Sequence, residues 1–153
     1  ASMRGQVWWP PSTVRNYHLM FRHIHPRTLE AVRRAKERGI WRVSREQGFE
    51  ILRQLARELS GIYNIPTPRV VPGDHECYWI PFERIELPRV SLISFLHEFR
   101  HHMQKHGLQH YQDPEVDARA WSISVFYNAL PEDFDRAWRN NRIWYMPPYS
   151  GGR

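Results

Sequence analysis

His97 and His101 stand four residues apart, and Glu98 follows the first of them. In a helix four residues make roughly one turn, so both imidazoles can reach one ion from one face. Glu98 flanks that face, where a carboxylate can take a proton from an activated water without ligating the metal itself. The pattern His-Glu-x-x-His is short, and a histidine-rich helix can carry it by chance. The elements around it must decide whether it has chemistry to do.

The pattern falls in a segment that reads as a helix from about Ser91 to Lys105. Leu92, Phe95, Leu96, Phe99 and Met103 make one apolar stripe at about 100° per residue. His97 and His101 point roughly the opposite way, so the periodicity predicts histidines off the face that packs into the core. Pro88 precedes the helix and Ser91 is suited to cap it.

A hydrolytic zinc site takes three protein ligands and keeps a fourth position open. One extension of the motif supplies Gly seven and His ten residues after the first His, but Gln104 and Gly107 hold those positions. His106 lies near the apolar stripe and His110 follows the helix, neither at a recognised spacing. Downstream, Asp113 is a good N-cap and Pro114 suits a first helical position, which predicts a second helix there. Glu115 and Asp117 compete within it. Ala118, Ser122, Val125, Phe126 and Ala129 form a small-to-apolar face that Glu115 leads, and Ala118 permits close approach to the histidine helix. Asp117 points to the other side and reads as a solvated acid favoured by the helix dipole, an effect that also offers the plainer account of Glu115. Glu115 is the better placed of the two as a third ligand.

With these residues in view, the chain resembles a zincin metallopeptidase of the gluzincin type. Glu115-x-x-Ala118, followed by Trp121 and Ser122, is similar to the Glu-x-x-Ala-Asn-x-Phe-Ala segment of ImmA/IrrE-like peptidases and to the Glu-x-x-Ala-Asp segment of minigluzincins. The resemblance covers about residues 70–126. Arg119 stands where those families carry Asn or Asp, and Arg100-His101-His102 replaces a Gly-His-Ala-like context. SprT-like proteases share the layout but use a third His, and no suitable His stands near position 115. The resemblance implies one Zn2+ held by His97, His101 and Glu115, with Glu98 as general base.

The rest of the chain fits around this centre. At 153 residues the length suits one domain with a single core. Hydrophobic content of 41% with 25% charged residues is ordinary for a globular chain, which argues against wholesale disorder. No apolar run reaches membrane-spanning length, and the opening residues do not read as a secretory signal. Ala1-Ser2 before Met3 reads as a cloning remnant. The single Cys77 excludes an intramolecular disulfide, and a cytoplasmic location is expected. Net charge is +6, nearly all from arginine, yet the arginines are dispersed and no nucleic-acid motif accompanies them. Arg33, Arg34 and Arg38 therefore read as a solvated basic face, and nucleic acid is a possible partner without a motif to indicate it.

Trp8-Trp9-Pro10-Pro11 is too Pro-rich for a helix and reads as a segment wrapped onto the domain. A helix is expected from Pro26 to Arg38, stopped by Gly39. Ser44 and Gln47 make a capping box for a longer helix to about Tyr63, with Phe49, Leu52, Leu55 and Leu59 inside. Short strands follow at Arg69–Val71, Glu76–Ile80 and Arg84–Leu87, then the motif helix, the Glu115 helix and a helix from Pro131 to Arg139. The expectation is an α+β fold in one domain spanning 1–153. Its zincin-like core is about 44–130, with extensions 1–43 and 131–153. A small, mostly antiparallel sheet packs on a backing helix. In that architecture substrate peptide adds to the edge strand, which would be Cys77, Tyr78, Trp79 and Ile80. The aromatic tail from Trp144 either packs on the body, the favoured reading, or lies in the cleft.

The expected function is zinc-dependent hydrolysis of peptide bonds in a peptide or protein substrate. The alternative is a zincin-fold regulatory or sensing domain that holds metal and a protein or nucleic-acid partner without peptidase turnover.

Overall fold

Local signals start and stop the elements where the sequence places them. In the computed structural model, which describes residues 20–146, helix α1 (Pro26–Glu37) opens on proline and ends before Gly39, whose φ of 87° is left-handed. Helix α2 (Arg45–Tyr63) is capped by Ser44, whose hydroxyl accepts from the Gln47 amide, and it closes on left-handed Asn64. Strands β1 (Arg69–Pro72), β2 (Cys77–Trp79) and β3 (Arg84–Leu87) follow, with a short 3-10 turn over Ile80–Phe82 between the last two. Helix α3 (Leu92–Lys105) is capped by Ser91, α4 (Pro114–Ala129) by Asp113, and α5 (Pro131–Arg139) opens on a proline of its own. The expected wrapping of Trp8–Pro11 lies outside the described residues, as does the tail beyond Met146.

The fold is α+β, with five helices and one three-stranded sheet among the described residues. The sheet corrects one expectation. Its order is β1-β3-β2, so β3 is central, pairing parallel with β1 and antiparallel with β2. It is mixed rather than mostly antiparallel. The physical reason lies in the side chains: β3 carries Ile85 and Leu87, both fully buried, and Ile85 lies opposite Val70 of β1. The strand with two fully buried side chains on its inner face takes the centre, and β2, with exposed Trp79, is left at the edge.

Helix α2 backs the sheet through its predicted stripe of Phe49, Leu52, Leu55 and Leu59, all buried. The predicted stripe of α3 is buried as well. The opposite face of α3 is largely covered, because α4 packs across it, and His101 keeps only partial exposure. Helix α4 is in turn buried continuously from Asp117 to Phe126, with α3 on one side and α1 and α5 on others.

The arginines of α1 keep solvent exposure, as expected, but they also make specific contacts. Arg34 and Arg38 both pair with Glu58 of α2, at 2.8 and 2.9 Å. Arg33 donates to the carbonyls of Asn128 and Ala129, which lie at the end of α4 and have no helical partner of their own. Basic side chains here tie α1 to its neighbours, which the dispersed charge pattern does not reveal.

Helix α2 also passes very close to the loop before α3. A Cβ added at Gly48 would sit 2.8 Å from a methyl of Val90 and 3.1 Å from the other. Gly48→Ala should therefore destabilise the domain by roughly 1–3 kcal/mol through overpacking, outweighing a helix-propensity gain of about 1 kcal/mol. Denaturant unfolding of the two chains measures this; a more stable Gly48→Ala variant would contradict the packing described.

Candidate metal centre

The two helices that cross in the interior bring their polar residues together. His97 and His101 project from consecutive turns of α3, and Glu115 projects from the first turn of α4 between them. Glu115 Oε1 lies 3.2 Å from His97 Nε2, and Oε2 lies 3.0 Å from His101 Nε2. One ligand atom from each of the three residues lies within 4.8 Å of the others. Ligand atoms about 2.0–2.2 Å from a tetrahedral zinc are themselves roughly 3.3 Å apart, so the spacing suits such an ion.

Burial shows what these atoms lack. His97 and Glu98 are 0% and 1% exposed. Both nitrogens of His97, both carboxylate oxygens of Glu98 and Glu115 Oε1 make no hydrogen bond among the described residues. The His97–Glu115 approach thus has ion-pair distance without hydrogen-bond alignment. Native interiors rarely leave five such atoms unpaired in one place. A cation between the three ligands, with a water at Glu98, would give partners to all of these atoms but His97 Nδ1. The donors, two neutral imidazoles and a carboxylate, suit zinc.

The electrostatics agree with this arrangement. Burial pushes the Glu115 carboxyl upward, but the two imidazoles more than reverse that and hold it well below the usual carboxylate range. Burial pushes His101 down, and Glu115 and Glu98 more than restore it, so its net shift is upward. Glu98 is raised, by burial first, against the opposing pull of His97 and His101. A raised carboxyl beside a cation site is the state from which a proton acceptor can be tuned toward neutral pH.

The aromatic tail supplies one wall. Tyr145 is buried, its hydroxyl shares a 2.7 Å hydrogen bond with Ser122 of α4, and its ring lies 5.3 Å from the His97 ring. Trp144 lies 6.4 Å from His97, and both rings flank the Arg119 guanidinium. The tail to Met146 therefore packs on the body, as expected, and does so against the candidate site.

Asp117 departs from expectation. It is fully buried rather than solvated. Arg100 donates to it twice, at 2.8 and 3.3 Å, and the amides of His110 and Tyr111 donate at 2.8 and 2.9 Å. The helical phase put Glu115 toward the histidines correctly, but it assigned the opposite side of α4 to solvent when the loop 106–113 and Arg100 occupy it. An arginine inside a buried motif helix must find an anion, and that signal could have identified Asp117 from the sequence.

The expected edge residues divide. Cys77 and Tyr78 are buried, Trp79 and Ile80 are exposed, and Ile80 belongs to the turn after β2. A second group, Glu83, His102 and His106, also has metal-ligand spacing. Its atoms are already committed. The Pro66 carbonyl, 2.6 Å from His102 Nε2, can only accept, so that nitrogen carries the proton and Nδ1 accepts from the Tyr78 hydroxyl at 2.7 Å. Glu83 is held by Lys105 and His106. This cluster ties the sheet to α3.

Comparison with protein-family models, with curated proteins and with solved structures finds no match to this chain. The candidate site rests on its own chemistry.

Removing Asp117 leaves the buried Arg100 guanidinium without its anion. Asp117→Ala should destabilise the domain by roughly 3–5 kcal/mol, measurable by denaturant unfolding. A loss below about 1 kcal/mol, the range of exposed pairs, would contradict the buried role.

Proposed function

We propose that this chain is a zinc-dependent metallopeptidase with a zincin-like core. The observation that carries the reading is the convergence of His97, His101 and Glu115 beside the unpaired, buried carboxylate of Glu98. Two further features support it. The three strands, motif helix and Glu-bearing helix follow one another in the order of that core. Strand β2 is a sheet edge, with Trp79 exposed on it and Ile80 exposed in the turn that follows.

His97, His101 and Glu115 would hold the zinc. When bound, such an ion supplies a Lewis acid and an acidified water. Glu98 does the proton work: its carboxylate accepts a proton from the attacking water and delivers it to the leaving amine. Tyr145 and Trp144 close the His97 side, and access is from the side of Glu115 and His101, which keep partial exposure. An extended peptide would add to the open edge of β2 by main-chain hydrogen bonds.

Zinc-loaded full chain, incubated with unfolded casein-like proteins, tests this against Glu98→Gln. That variant keeps the shape but cannot accept a proton, so it should retain zinc and the fold while cleavage falls by about 10²–10⁴-fold. Glu115→Ala should weaken zinc binding sharply. The full chain is the proper subject, because ending it near Asn140 would remove buried Ile143 and Tyr145. Zinc-loaded protein that cleaves nothing, in parent and variant alike, would overturn the peptidase reading in favour of a metal-holding regulatory domain.

A further inference from the structure

The two histidines of the site are held differently. His97 Nδ1 has no hydrogen-bond partner among the described residues, whereas His101 Nδ1 lies 2.8 Å from Gln104 Oε1. Gln104 sits one turn after His101 on α3, at a spacing that lets the two side chains meet. Its amide nitrogen donates to the Pro114 carbonyl and to Asp117 Oδ2, both at 2.9 Å.

Those two contacts fix which way the amide faces. A backbone carbonyl can only accept. Asp117 receives five N–H donors in all, from Arg100 twice, Gln104, His110 and Tyr111, and this leaves no room for a proton on its oxygens. Flipping Gln104 would set its oxygen against two acceptors. The oxygen must therefore face His101, and an oxygen there requires the proton on His101 Nδ1. The lone pair of His101 is then left on Nε2, the atom that faces Glu115.

We infer that Gln104, clamped by Asp117 and the Pro114 carbonyl, is a positioning residue that fixes the tautomer and ring orientation of His101 for metal binding. The inference rests on the metal-binding reading above. Gln104 joins the start of α4, which carries Glu115, to the second histidine of α3, so one side chain registers two of the three ligands against each other. Partners of this kind typically contribute 10–100-fold to metal affinity.

Two substitutions separate positioning from mere cross-linking of the helices. Gln104→Leu removes the acceptor and both donors. Gln104→Glu loses the donors but keeps an acceptor toward His101. Zinc affinity, read by chelator competition on folded full-length protein, should fall about 10–100-fold in Gln104→Leu and by less in Gln104→Glu, which keeps the acceptor toward His101 but loses the clamp. A role confined to joining α3 and α4 would make the glutamate at least as harmful as the leucine, and that result would overturn the inference. So would unchanged affinity in Gln104→Leu. If a variant fails to fold, imidazole nitrogen NMR of the zinc-loaded parent decides: His101 should carry a hydrogen-bonded Nδ1 proton, and zinc on Nδ1 or a free Nδ1 proton would overturn it. A parent chain that binds no zinc would overturn the metal reading itself, an outcome distinct from a parent that binds zinc and is indifferent to Gln104.

Discussion

Everything at the centre of this protein follows from packing α4 across the polar face of α3. A helix whose second face carries two imidazoles, two charged groups and an amide can be buried only if the covering helix satisfies them. The bidentate Arg100–Asp117 pair does most of this. It neutralises the arginine, gathers the amides of the loop before α4, and orients Gln104. Breaking such a pair is far more harmful than never having it, so its geometry is tightly constrained. With that pair in place, Glu115 two residues earlier is delivered to the histidines.

What remains unsatisfied is then informative. The interior provides partners for Arg100, Gln104, His102 and Asp117, and leaves atoms of His97, Glu98 and Glu115 without any. Among the described residues the unpaired buried atoms of α3 and α4 gather at the middle of the site, with Arg119 Nε beside its aromatic wall. Buried groups in such a state are where strain or function is expected. The contrast with Glu83, His102 and His106 sharpens the point. Among the described residues two clusters have metal-ligand spacing, and of these one has ligand atoms without hydrogen-bond partners.

Much of this could be read from the sequence. Caps at Ser44, Ser91 and Asp113, and prolines at the first turns, mark the helix starts because they act locally. The 3.6-residue period places Leu92, Phe95, Leu96, Phe99 and Met103 inside and turns Glu115 toward the histidines. Other features depend on contacts between distant segments, which periodicity does not report. The parallel pairing of β1 with β3 is one. The burial of His97 and Asp117 is another, since a helix covered on both sides has no face for the pattern to call exposed. Tyr145 reaches His97 from far along the chain, and no local signal announces it.

The central claim is that His97, His101 and Glu115 form a zinc site. Metal analysis of the full chain, purified without added zinc and then equilibrated with a slight excess and desalted, tests it most directly. The account predicts about one zinc per chain, abolished by His97→Ala or His101→Ala in folded protein. A folded parent chain that retains no zinc, or one whose zinc survives loss of either histidine, would contradict it.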